Sequence, residues 1–359
     1  MRKVGILTSG GDCPGLNSAI RAIAKALYLQ MAKIKIIGII GGYAGLIEKD
    51  YRVMQPEDFY DIMSLGGTIL RTTRQPFATM QMRIEGEPSP SKLAKMVSTY
   101  KELGLDCLCV LGGNGTHKTA NLLASEGLNV VALPKTIDND IWGTDVTFGF
   151  NTAVELGVEI VDRLYTTAAS HSRVIVVEVM GNRHGWLALS TGVASGAEVI
   201  VIPEIPYDIE KTCEAIMDRV KAGRPYSVVV VAEGACSIQE AGTPRRERAT
   251  ARAARGFSSV SAELSQGIEL ATGIETRTMA PGHYLRGGAP CASDRILTTQ
   301  FGAYAAHLIS HEVYGVTVAK KNRKITHNLL SDVAGKPKPV LPDNPLITVA
   351  RSTGISFAD

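Results

Sequence analysis

The chain has 359 residues, 45% of them hydrophobic, and a formal net charge of +3, so it is long enough for two domains with ordinary cores. The small net charge gives no support for nucleic-acid binding, and no run of about 18 uncharged apolar residues is present to span a bilayer. The N-terminus lacks the apolar core of a secretory signal, and the six cysteines show no metal-binding spacing. These features predict a cytoplasmic protein that binds neither nucleic acid nor membranes.

Strand-like apolar runs alternate with amphipathic helical stretches along the chain. This alternation predicts an α/β fold with mainly parallel sheets in three-layer α/β/α lobes. Apolar residues recur at spacings of three and four in residues 17–30 and 154–164, which predicts helices packed on a sheet. The predicted strands are residues 4–8, 34–40, 107–111, 130–133, 174–179, 199–202, 228–232 and 316–319.

Two glycine-rich turns follow predicted strands in the N-terminal half. Residues 8–15 (TSGGDCPG) follow the first strand, and residues 112–116 (GGNGT) follow the strand at 107–111. Such turns let backbone N–H groups approach a phosphate closely, although either turn alone is also common as a tight connection. Together they favour a phosphate site at one edge of the sheet.

Residues 134–140 (PKTIDND) place two carboxylates and a hydroxyl directly after the strand at 130–133. Ligands of open α/β sheets collect at the carboxyl ends of strands. Asp138 and Asp140 lie two apart on an expected extended turn, so one side chain faces an acceptor hydroxyl and the other faces a metal-water shell or the turn. Aspartates are also common as simple turn formers. The pattern favours phosphoryl transfer, which needs positioning, charge neutralisation and a base near the acceptor hydroxyl.

Further polar residues stand at predicted strand ends. Met180, Gly181 and Glu233 follow strands, whereas His283 fits a structural role and a phosphate contact equally well. Arginine binds phosphate through a planar fork and stays charged. The candidate arginines are Arg74, Arg173, Arg277 and Arg286.

Residues 243–256 (TPRRERATARAARG) form a locally basic segment with the punctuation of a helix. Thr243 is the expected N-cap, Pro244 stands in the first turn and Gly256 marks the end. Charge runs of this kind are usually solvated surface helices, and an anionic effector or an RNA partner are the alternatives. Residues 331–359 contain four prolines and little periodicity, which predicts a segment wrapped over a lobe or a subunit surface.

Nine segments together resemble the 6-phosphofructokinase family, in the family's order over roughly residues 3–300. They are GILTSGGDCPGLN, GGYAGL, GGTILRTTR, GGNGT, PKTIDND, SHSRVIVVEVMG, AEG, ETR and PGHYLRGGAP. The resemblance implies a two-lobed α/β subunit that transfers phosphate from ATP or pyrophosphate to the 1-hydroxyl of fructose 6-phosphate with Mg²⁺, a reaction of glycolysis. It also implies a homotetramer or homodimer.

The resemblance suggests a division of the chain into two lobes. We expect a larger donor-binding lobe of residues 1–149 plus about 285–335, and a smaller sugar-phosphate lobe of residues 150–284 plus about 336–359.

Site residues carried over from the family fall into three groups. Asp138 matches the catalytic base, Thr136 is its neighbour, and Arg74 matches an arginine that bridges the transferring phosphate. The donor-site residues are Gly11, Tyr43, Arg74, Gly113, Asn114, Gly115, Thr116 and Lys135. The sugar-phosphate residues are Thr136, Asp138, Asp140, Met180, Gly181, Glu233, His283 and Arg286, joined by Arg173 and Arg277 from a neighbouring subunit. The resemblance therefore implies an active site shared across an interface.

Two departures from the family pattern bear on catalysis. Asn114 stands where many members have an aspartate that organises Mg²⁺, so we expect the metal to be held by Asp140, by the carbonyl oxygen of Asn114 and by the phosphates. The arginine expected after Gly181 is displaced by one residue to Arg183.

The identity of the donor depends on two positions. Pyrophosphate-using relatives have an aspartate where this chain has Gly115, and that carboxylate excludes a nucleotide by charge and bulk. Gly115 leaves the space open and favours ATP, whereas Lys135 resembles the lysine of pyrophosphate enzymes. We expect ATP, and a pyrophosphate-dependent fructose 6-phosphate phosphotransferase remains the alternative.

Two other functions are compatible with parts of the sequence. The GGNGT turn resembles the GGDGT turn of lipid and NAD kinases, which are not expected to have the SHSR, ETR and GHYLRGG segments. Asn114 and the displaced arginine suggest a non-catalytic regulatory paralogue that binds sugar phosphate. The intact Asp138 argues against the paralogue.

Overall fold

The computed structural model describes residues 1–82 and 91–359. The chain forms two compact units. Unit 1 contains Met1–Thr152 and Arg286–Pro337, and unit 2 contains Ala153–Leu285 and Lys338–Asp359. Both units contain mainly parallel strands and helices, which confirms the predicted fold class. The assignment of the donor and the sugar phosphate to separate lobes stays a prediction.

The eight predicted strands all form, and the described residues contain four further strands, three of them at sheet edges. In the described residues the strands are β1 (Arg2–Ser9), β2 (Ile34–Ile39), β3 (Tyr51–Met54), β4 (Cys107–Gly112), β5 (Val130–Thr136), β6 (Phe148–Gly149), β7 (Val174–Val179), β8 (Val199–Val201), β9 (Ser227–Ala232), β10 (Thr276–Met279), β11 (Val316–Lys321) and β12 (Lys324–Leu329).

Helices connect most of these strands. They are α1 (Leu16–Gln30), α2 (Tyr43–Glu48), α3 (Lys92–Leu103), α4 (Asn114–Ser125), α5 (Phe150–His171), α6 (Trp186–Ser195), α7 (Ile209–Lys221), α8 (Arg245–Ala254), α9 (Val260–Thr272), α10 (Ala292–Ser310), α11 (Leu330–Val333) and α12 (Pro345–Ser352). Short 3₁₀ helices span Pro56–Phe59, Phe77–Thr79, Ile238–Glu240 and Gly282–Arg286.

The sheet of unit 1 has the order β12-β11-β5-β4-β1-β2-β3, with β6 paired to the end of β5. Strands β11, β5, β4, β1 and β2 are parallel, and the edge strands β12 and β3 are antiparallel to their neighbours. The order places β2 on one side of β1 and β4 on the other. A reversal of this kind opens a crevice at the carboxyl ends of the central strands.

Helices α1 and α10 pack against each other closely in unit 1. The contact is possible because Gly302 lacks a side chain, since a Cβ there would lie 2.8 Å from Ile23 N and 3.0 Å from Ala19 O. Ser18 Oγ and Thr298 Oγ1 form a buried hydrogen bond of 2.7 Å across the pair.

The sheet of unit 2 has the order β10-β7-β9-β8, and all its strands are parallel. Valines of β7, β8 and β9 pack against α7 and α9 in a single apolar cluster. Residues 331–359 have more regular structure than their sequence predicts, because Asn344 caps helix α12 through Leu346 N at 2.9 Å. After α12, Ser356 extends the edge of the sheet by accepting a hydrogen bond from Ile200 N at 2.9 Å.

Several element boundaries differ from the sequence-based prediction, among them those of β5 and α8. Strand β5 continues through Thr136, because Lys135 and Thr136 pair with β6. The N-cap of α8 is Pro244 instead of Thr243, and the segment has no side-chain cap. In the residues that the structure describes, no helix combines the length and apolarity needed to cross a bilayer.

Candidate active site

Three strand ends in unit 1 bring the predicted phosphate turns and the carboxylate turn side by side. Ser9 at the end of β1 pairs with Gly112 at the end of β4, and Gly112 pairs with Pro134 in β5. The three segments that follow therefore begin at one edge of the sheet. The register of the parallel strands, which the sequence does not state, produces this arrangement.

Lys135 lies between the two glycine turns. Its side chain is 3% exposed, and its Nζ donates a hydrogen bond to the carbonyl oxygen of Gly11. Burial lowers the pKa of Lys135, because an ammonium group loses hydration there. A phosphate bound at the first turn would restore the lost charge stabilisation.

The first glycine turn is held by the segment that precedes Arg74. Gly10 N donates to Thr73 O at 3.0 Å, and Thr72 Oγ1 donates to Gly10 O at 2.7 Å. Thr73 Oγ1 also donates to Gly41 O at 2.7 Å. Arg74 follows these anchored threonines directly, and its side chain is exposed.

The second glycine turn begins helix α4, and two side-chain hydrogen bonds hold it in place. Thr116 Oγ1 donates to Ser9 O at 3.3 Å, and the buried Tyr43 hydroxyl donates to Thr116 O at 2.9 Å. A Cβ at Gly112 would overlap the Thr116 side chain, so only glycine fits there. In contrast, a Cβ at Gly115 would meet no atom within 4 Å.

The carboxylate turn is tighter than the extended turn that we expected. Asn139 adopts a left-handed conformation with φ 50°, and its Oδ1 accepts a hydrogen bond from Thr147 N at 3.1 Å. Asparagine tolerates this conformation better than most residues. Asp138 is partly buried and its backbone N–H donates to Thr136 Oγ1 at 3.1 Å, whereas Asp140 is buried.

Two predicted site residues of unit 1 make contacts that the sequence did not indicate. A Cβ at Gly11 would overlap the guanidinium of Arg286, so this arginine lies against the first glycine turn, and its buried Nε has no hydrogen-bond partner in the described part of the chain. Asn114 Oδ1 accepts a hydrogen bond from Gly335 N at 3.0 Å, and its Nδ2 donates to Lys336 O at 3.3 Å. Asn114 therefore anchors the segment after α11 to the start of α4.

Unit 2 holds another group of predicted residues at the ends of β7 and β9. Glu233 Oε1 accepts a hydrogen bond from Asn182 N at 2.8 Å, which closes the Met180-Gly181 turn over the strand end. Gly181 has φ 144°, and a Cβ there would lie 2.7 Å from His184 O, so the turn requires glycine.

Arg173 and Arg277 flank one carboxylate in unit 2. Arg173 Nε donates to Glu275 Oε2 at 2.5 Å, and Arg277 pairs with the other oxygen of the same group. The two arginines hold the pKa of Glu275 below its usual range, with Arg173 as the larger cause. His283 is exposed in the 3₁₀ helix Gly282–Arg286.

The family model for phosphofructokinase matches residues 3–309 of this chain. The chain belongs to the phosphofructokinase family. An ATP-dependent 6-phosphofructokinase of Spirochaeta thermophila is 50% identical over 359 residues, covering 100% of this chain and 98% of the relative. The ATP-dependent 6-phosphofructokinase 3 of Bacteroides thetaiotaomicron is 43% identical, covering 99% of each chain.

Solved phosphofructokinases have the same fold. The Pichia pastoris phosphofructokinase in the T-state matches with a TM-score of 0.78 and 30% identity, over 99% of this chain and 37% of that longer chain. A pyrophosphate-dependent phosphofructokinase from Nitrosospira multiformis matches with a TM-score of 0.81 over 95% of this chain and 86% of its own. Its identity of 20% supports the fold alone.

Sequence reasoning missed two residues that contact segments of the candidate site. Buried His117 lies one helical turn after the second glycine turn, and its ring nitrogens contact Gly113 O at 3.0 Å and Thr317 Oγ1 at 2.9 Å. Arg245 donates to Asn182 Oδ1 at 2.5 Å. The i, i+4 spacing of Gly113 and His117 was the available signal for the first residue, and the basic segment 243–256 was the signal for the second.

Proposed function

We propose that this chain is an ATP-dependent 6-phosphofructokinase, which transfers the terminal phosphoryl group of ATP to the 1-hydroxyl of fructose 6-phosphate in glycolysis. Relatives that are 50% and 43% identical over essentially the whole chain have this name. The observation that carries the proposal is the meeting of two glycine turns and a carboxylate turn at the adjoining ends of β1, β4 and β5.

Unit 1 offers the groups that phosphoryl transfer needs at the donor. Backbone N–H groups at the start of α4 and the positive end of that helix favour phosphate oxygens. Lys135 and Arg74 add two cations, Gly11 and Gly113 place no side chain at the two turns, and Thr116 ties the second turn to Ser9 O. Tyr43 supports the second turn from the core.

Asp138 is the proposed general base. Its carboxylate accepts the proton of the 1-hydroxyl as that oxygen forms a bond to the terminal phosphorus. The bond between the terminal phosphorus and its bridging oxygen breaks, and ADP leaves with the electron pair. Thr136 helps to position Asp138, because its Oγ1 accepts a hydrogen bond from the Asp138 backbone N–H at 3.1 Å, and Asp140 is the neighbour of Asp138 in the proposed site.

Mg²⁺ supplies charge neutralisation on the transferring phosphate when it is bound. Asp140 and the Oδ1 of Asn114 would hold it, together with phosphate oxygens. Asn114 Oδ1 retains a second lone pair beside its bond from Gly335 N. Among the described residues no group of three or more His, Cys, Asp or Glu side chains could hold a metal. One carboxylate and one amide oxygen suit an ion that takes most of its ligands from phosphates and water.

Sugar-phosphate recognition is the proposed role of the remaining residues. Glu233 and the Met180-Gly181 turn would bind sugar hydroxyls. Four basic residues would bind the phosphate: His283 and Arg286 from the same subunit, and Arg173 and Arg277 from a neighbouring one. The shared site requires a homotetramer or homodimer, and we expect the enzyme to act in the cytoplasm.

Gly115 supports ATP as the donor. The open space around its position accommodates the nucleotide beyond the two terminal phosphates, whereas an aspartate there would repel it. Lys135 favours the second candidate, a pyrophosphate-dependent enzyme, because a buried cation at the first turn also suits a donor without a nucleotide.

A coupled assay distinguishes these functions. Purified protein is supplied with Mg²⁺, fructose 6-phosphate and either ATP or pyrophosphate, and formation of fructose 1,6-bisphosphate is measured. We expect turnover with ATP and much less with pyrophosphate. Turnover with pyrophosphate alone would reverse the assignment of the donor, and turnover with neither would support a non-catalytic paralogue.

Replacement of Asp138 tests the proposed base. Asp138→Asn should lower kcat by at least about a hundredfold with little change in affinity for fructose 6-phosphate, because general bases contribute about 10²–10⁴ in rate. Asp162→Asn, an exposed change in α5, is the control and should leave kcat unchanged. A kcat of the Asp138 variant equal to the parent's would remove this residue from the mechanism.

A further inference from the structure

Unit 2 contains a pocket of about 420 Å³ whose wall is mainly basic. Four arginines, Arg183, Arg245, Arg246 and Arg248, line it together with Pro203 and Gly234. Small-molecule sites in proteins range from about 300 to 1,000 Å³, so the pocket is large enough for a small metabolite.

The arginines at the two ends of α8 differ in their partners. Near the C-terminal end, Arg252 and Arg255 each pair with Glu240 and Glu263, at distances between 2.5 and 3.3 Å. Within residues 1–82 and 91–359, no salt bridge is formed by the pocket residues Arg183, Arg246 and Arg248. Positive charges that line the same concave surface repel each other, and an anion in the pocket would relieve that repulsion.

The N-terminal turn of α8 adds to the positive potential. Pro244, Arg245 and Arg246 belong to the pocket wall, and no side chain caps this helix end. The first N–H groups of a helix lack intrahelical acceptors, and the helix dipole makes this end positive. Backbone and side chains therefore favour the same kind of ligand.

Arg245 connects the pocket to Glu233. Its Nη2 lies 3.5 Å from Glu233 Oε2, and its Nη1 donates to Asn182 Oδ1. A phosphate dianion in the pocket would compete with the Glu233 carboxylate for this guanidinium, because arginine binds phosphate in a bidentate fork.

We propose that this pocket binds a small phosphate ester, and that its occupant weakens the Arg245–Glu233 ion pair and thereby changes the affinity for fructose 6-phosphate. Three arginines without carboxylate partners on one pocket wall favour a doubly charged phosphate group, since arginine stays charged and binds phosphate oxygens. The site itself is independent of the proposed function. The change in affinity rests on that function, because it takes Glu233 as a sugar-phosphate residue.

Calorimetric titration of the full-length protein tests the site. Inorganic phosphate and glycerol 3-phosphate are the probes, at constant ionic strength, with and without saturating fructose 6-phosphate. The test variants are the double change Arg246→Gln, Arg248→Gln and the single change Arg246→Gln, whose side chain is exposed. Arg255→Gln, on the same helix and outside the pocket wall, is the matched control.

We expect the parent and the control to bind both probes in the presence of fructose 6-phosphate. The double variant should bind at least about tenfold more weakly, a change of about 1.4 kcal/mol, because it loses two charge-assisted contacts to the phosphate. Three results would overturn the site: no binding to the parent, an affinity equal to the parent's in both Arg246 variants, or complete displacement by fructose 6-phosphate. Circular dichroism shows whether the variants are folded. If the double variant is unfolded, the affinity of the single variant decides the test.

Kinetics test the link to Glu233. Phosphate should change the KM for fructose 6-phosphate at least about threefold in the parent and in Arg255→Gln, and much less in the double variant. An unchanged KM in a parent that binds phosphate would overturn the link. A protein with no turnover would refute the proposed function, whereas the calorimetric comparison would still decide the site.

Discussion

Lys135 shows how one residue joins two parts of the proposed phosphate site. Its buried side chain donates to Gly11 O in the first turn, and its own carbonyl oxygen lies 3.6 Å from the position of a Cβ at Gly113 in the second. The lowered pKa of this lysine reflects the cost of burying an ammonium group. Binding of phosphate beside the ammonium group would offset that desolvation cost.

Gly115→Asp tests the control of donor choice at a single residue. The new side chain has room, since a Cβ there meets no atom within 4 Å, so the main effect is a carboxylate beside the nucleotide phosphates. We expect the KM for ATP to rise at least tenfold, because a repulsion of about 1.4 kcal/mol has that effect. Steady-state kinetics with ATP and with pyrophosphate provide the measurement.

Gly115→Asn is the matched control for charge. It has nearly the same shape as the aspartate and no charge, so it should raise the KM for ATP much less. A parental KM in the aspartate variant would show that Gly115 does not control access of the donor. An equal rise in both variants would assign the effect to bulk instead of charge.

His117 makes stability depend on pH. Burial lowers the pKa of His117 to about 4 from a usual 6.5, and the neutral ring can donate from Nδ1 to Gly113 O while Nε2 accepts from the Thr317 hydroxyl. The unfolded chain binds a proton more readily, so this contribution is complete above pH 6.5 and is lost as the pH falls toward 4. The loss amounts to about 3 kcal/mol over this window.

Urea unfolding at pH 7 and pH 4 measures this effect. The parent should lose about 3 kcal/mol more than His117→Gln between the two values, because glutamine does not titrate and both proteins share every other ionisable group. An equal loss of unfolding free energy in both proteins would show that His117 does not cause the pH dependence.

At the scale of elements, the contact between α1 and α10 depends on a glycine. Helix propensity alone predicts that Gly302→Ala stabilises α10 by up to about 1 kcal/mol. The backbone of α1 stands 2.8–3.0 Å from the new methyl position, and overpacking costs about 1–3 kcal/mol. Because a backbone cannot yield as a flexible side chain does, we expect net destabilisation of about 1–2 kcal/mol.

Denaturant unfolding of Gly302→Ala and Gly115→Ala compares two glycines in helices. Gly115→Ala, at an open position in the first turn of α4, should be neutral or slightly stabilising. Stabilisation of the Gly302 variant would mean that α1 and α10 separate at little cost.

At the scale of the whole molecule, the proposed shared site can be tested by mixing subunits. Asp138→Asn and Arg277→Ala should each be nearly inactive alone. In a randomly mixed oligomer about a quarter of the sites would combine an intact Asp138 with an intact Arg277 from the neighbouring subunit. Co-expression of two tagged chains and an assay of the purified hybrid measure the recovered activity.

Asp138→Asn mixed with Thr136→Ala is the control, because both changes affect the same subunit's part of each site. That mixture should recover no activity. Failure of the Arg277 mixture to exceed the average of its two parents would place the whole site within one subunit.

The strands and the family could be predicted from sequence because their signals are local. Each buried parallel strand is a short apolar run, and each phosphate turn has glycines where a side chain would collide, as at Gly112. The prediction of the carboxylate turn was wrong in its shape. Asn139 takes a left-handed conformation, and its side chain accepts a hydrogen bond from Thr147 N, eight residues further along the chain.

The sequence by itself determined the α/β class, the order of the motifs and the membership of the phosphofructokinase family, because apolar periodicity and turn chemistry depend on neighbouring residues. The tertiary structure decided which groups meet. Strand register aligns Ser9, Gly112 and Pro134, and packing brings Lys135 to Gly11 and Arg245 to Glu233. Lys135 and Gly11 are 124 residues apart in the chain, and even the nearer pair of Arg245 and Glu233 belongs to different elements, so the sequence alone does not show that these groups meet.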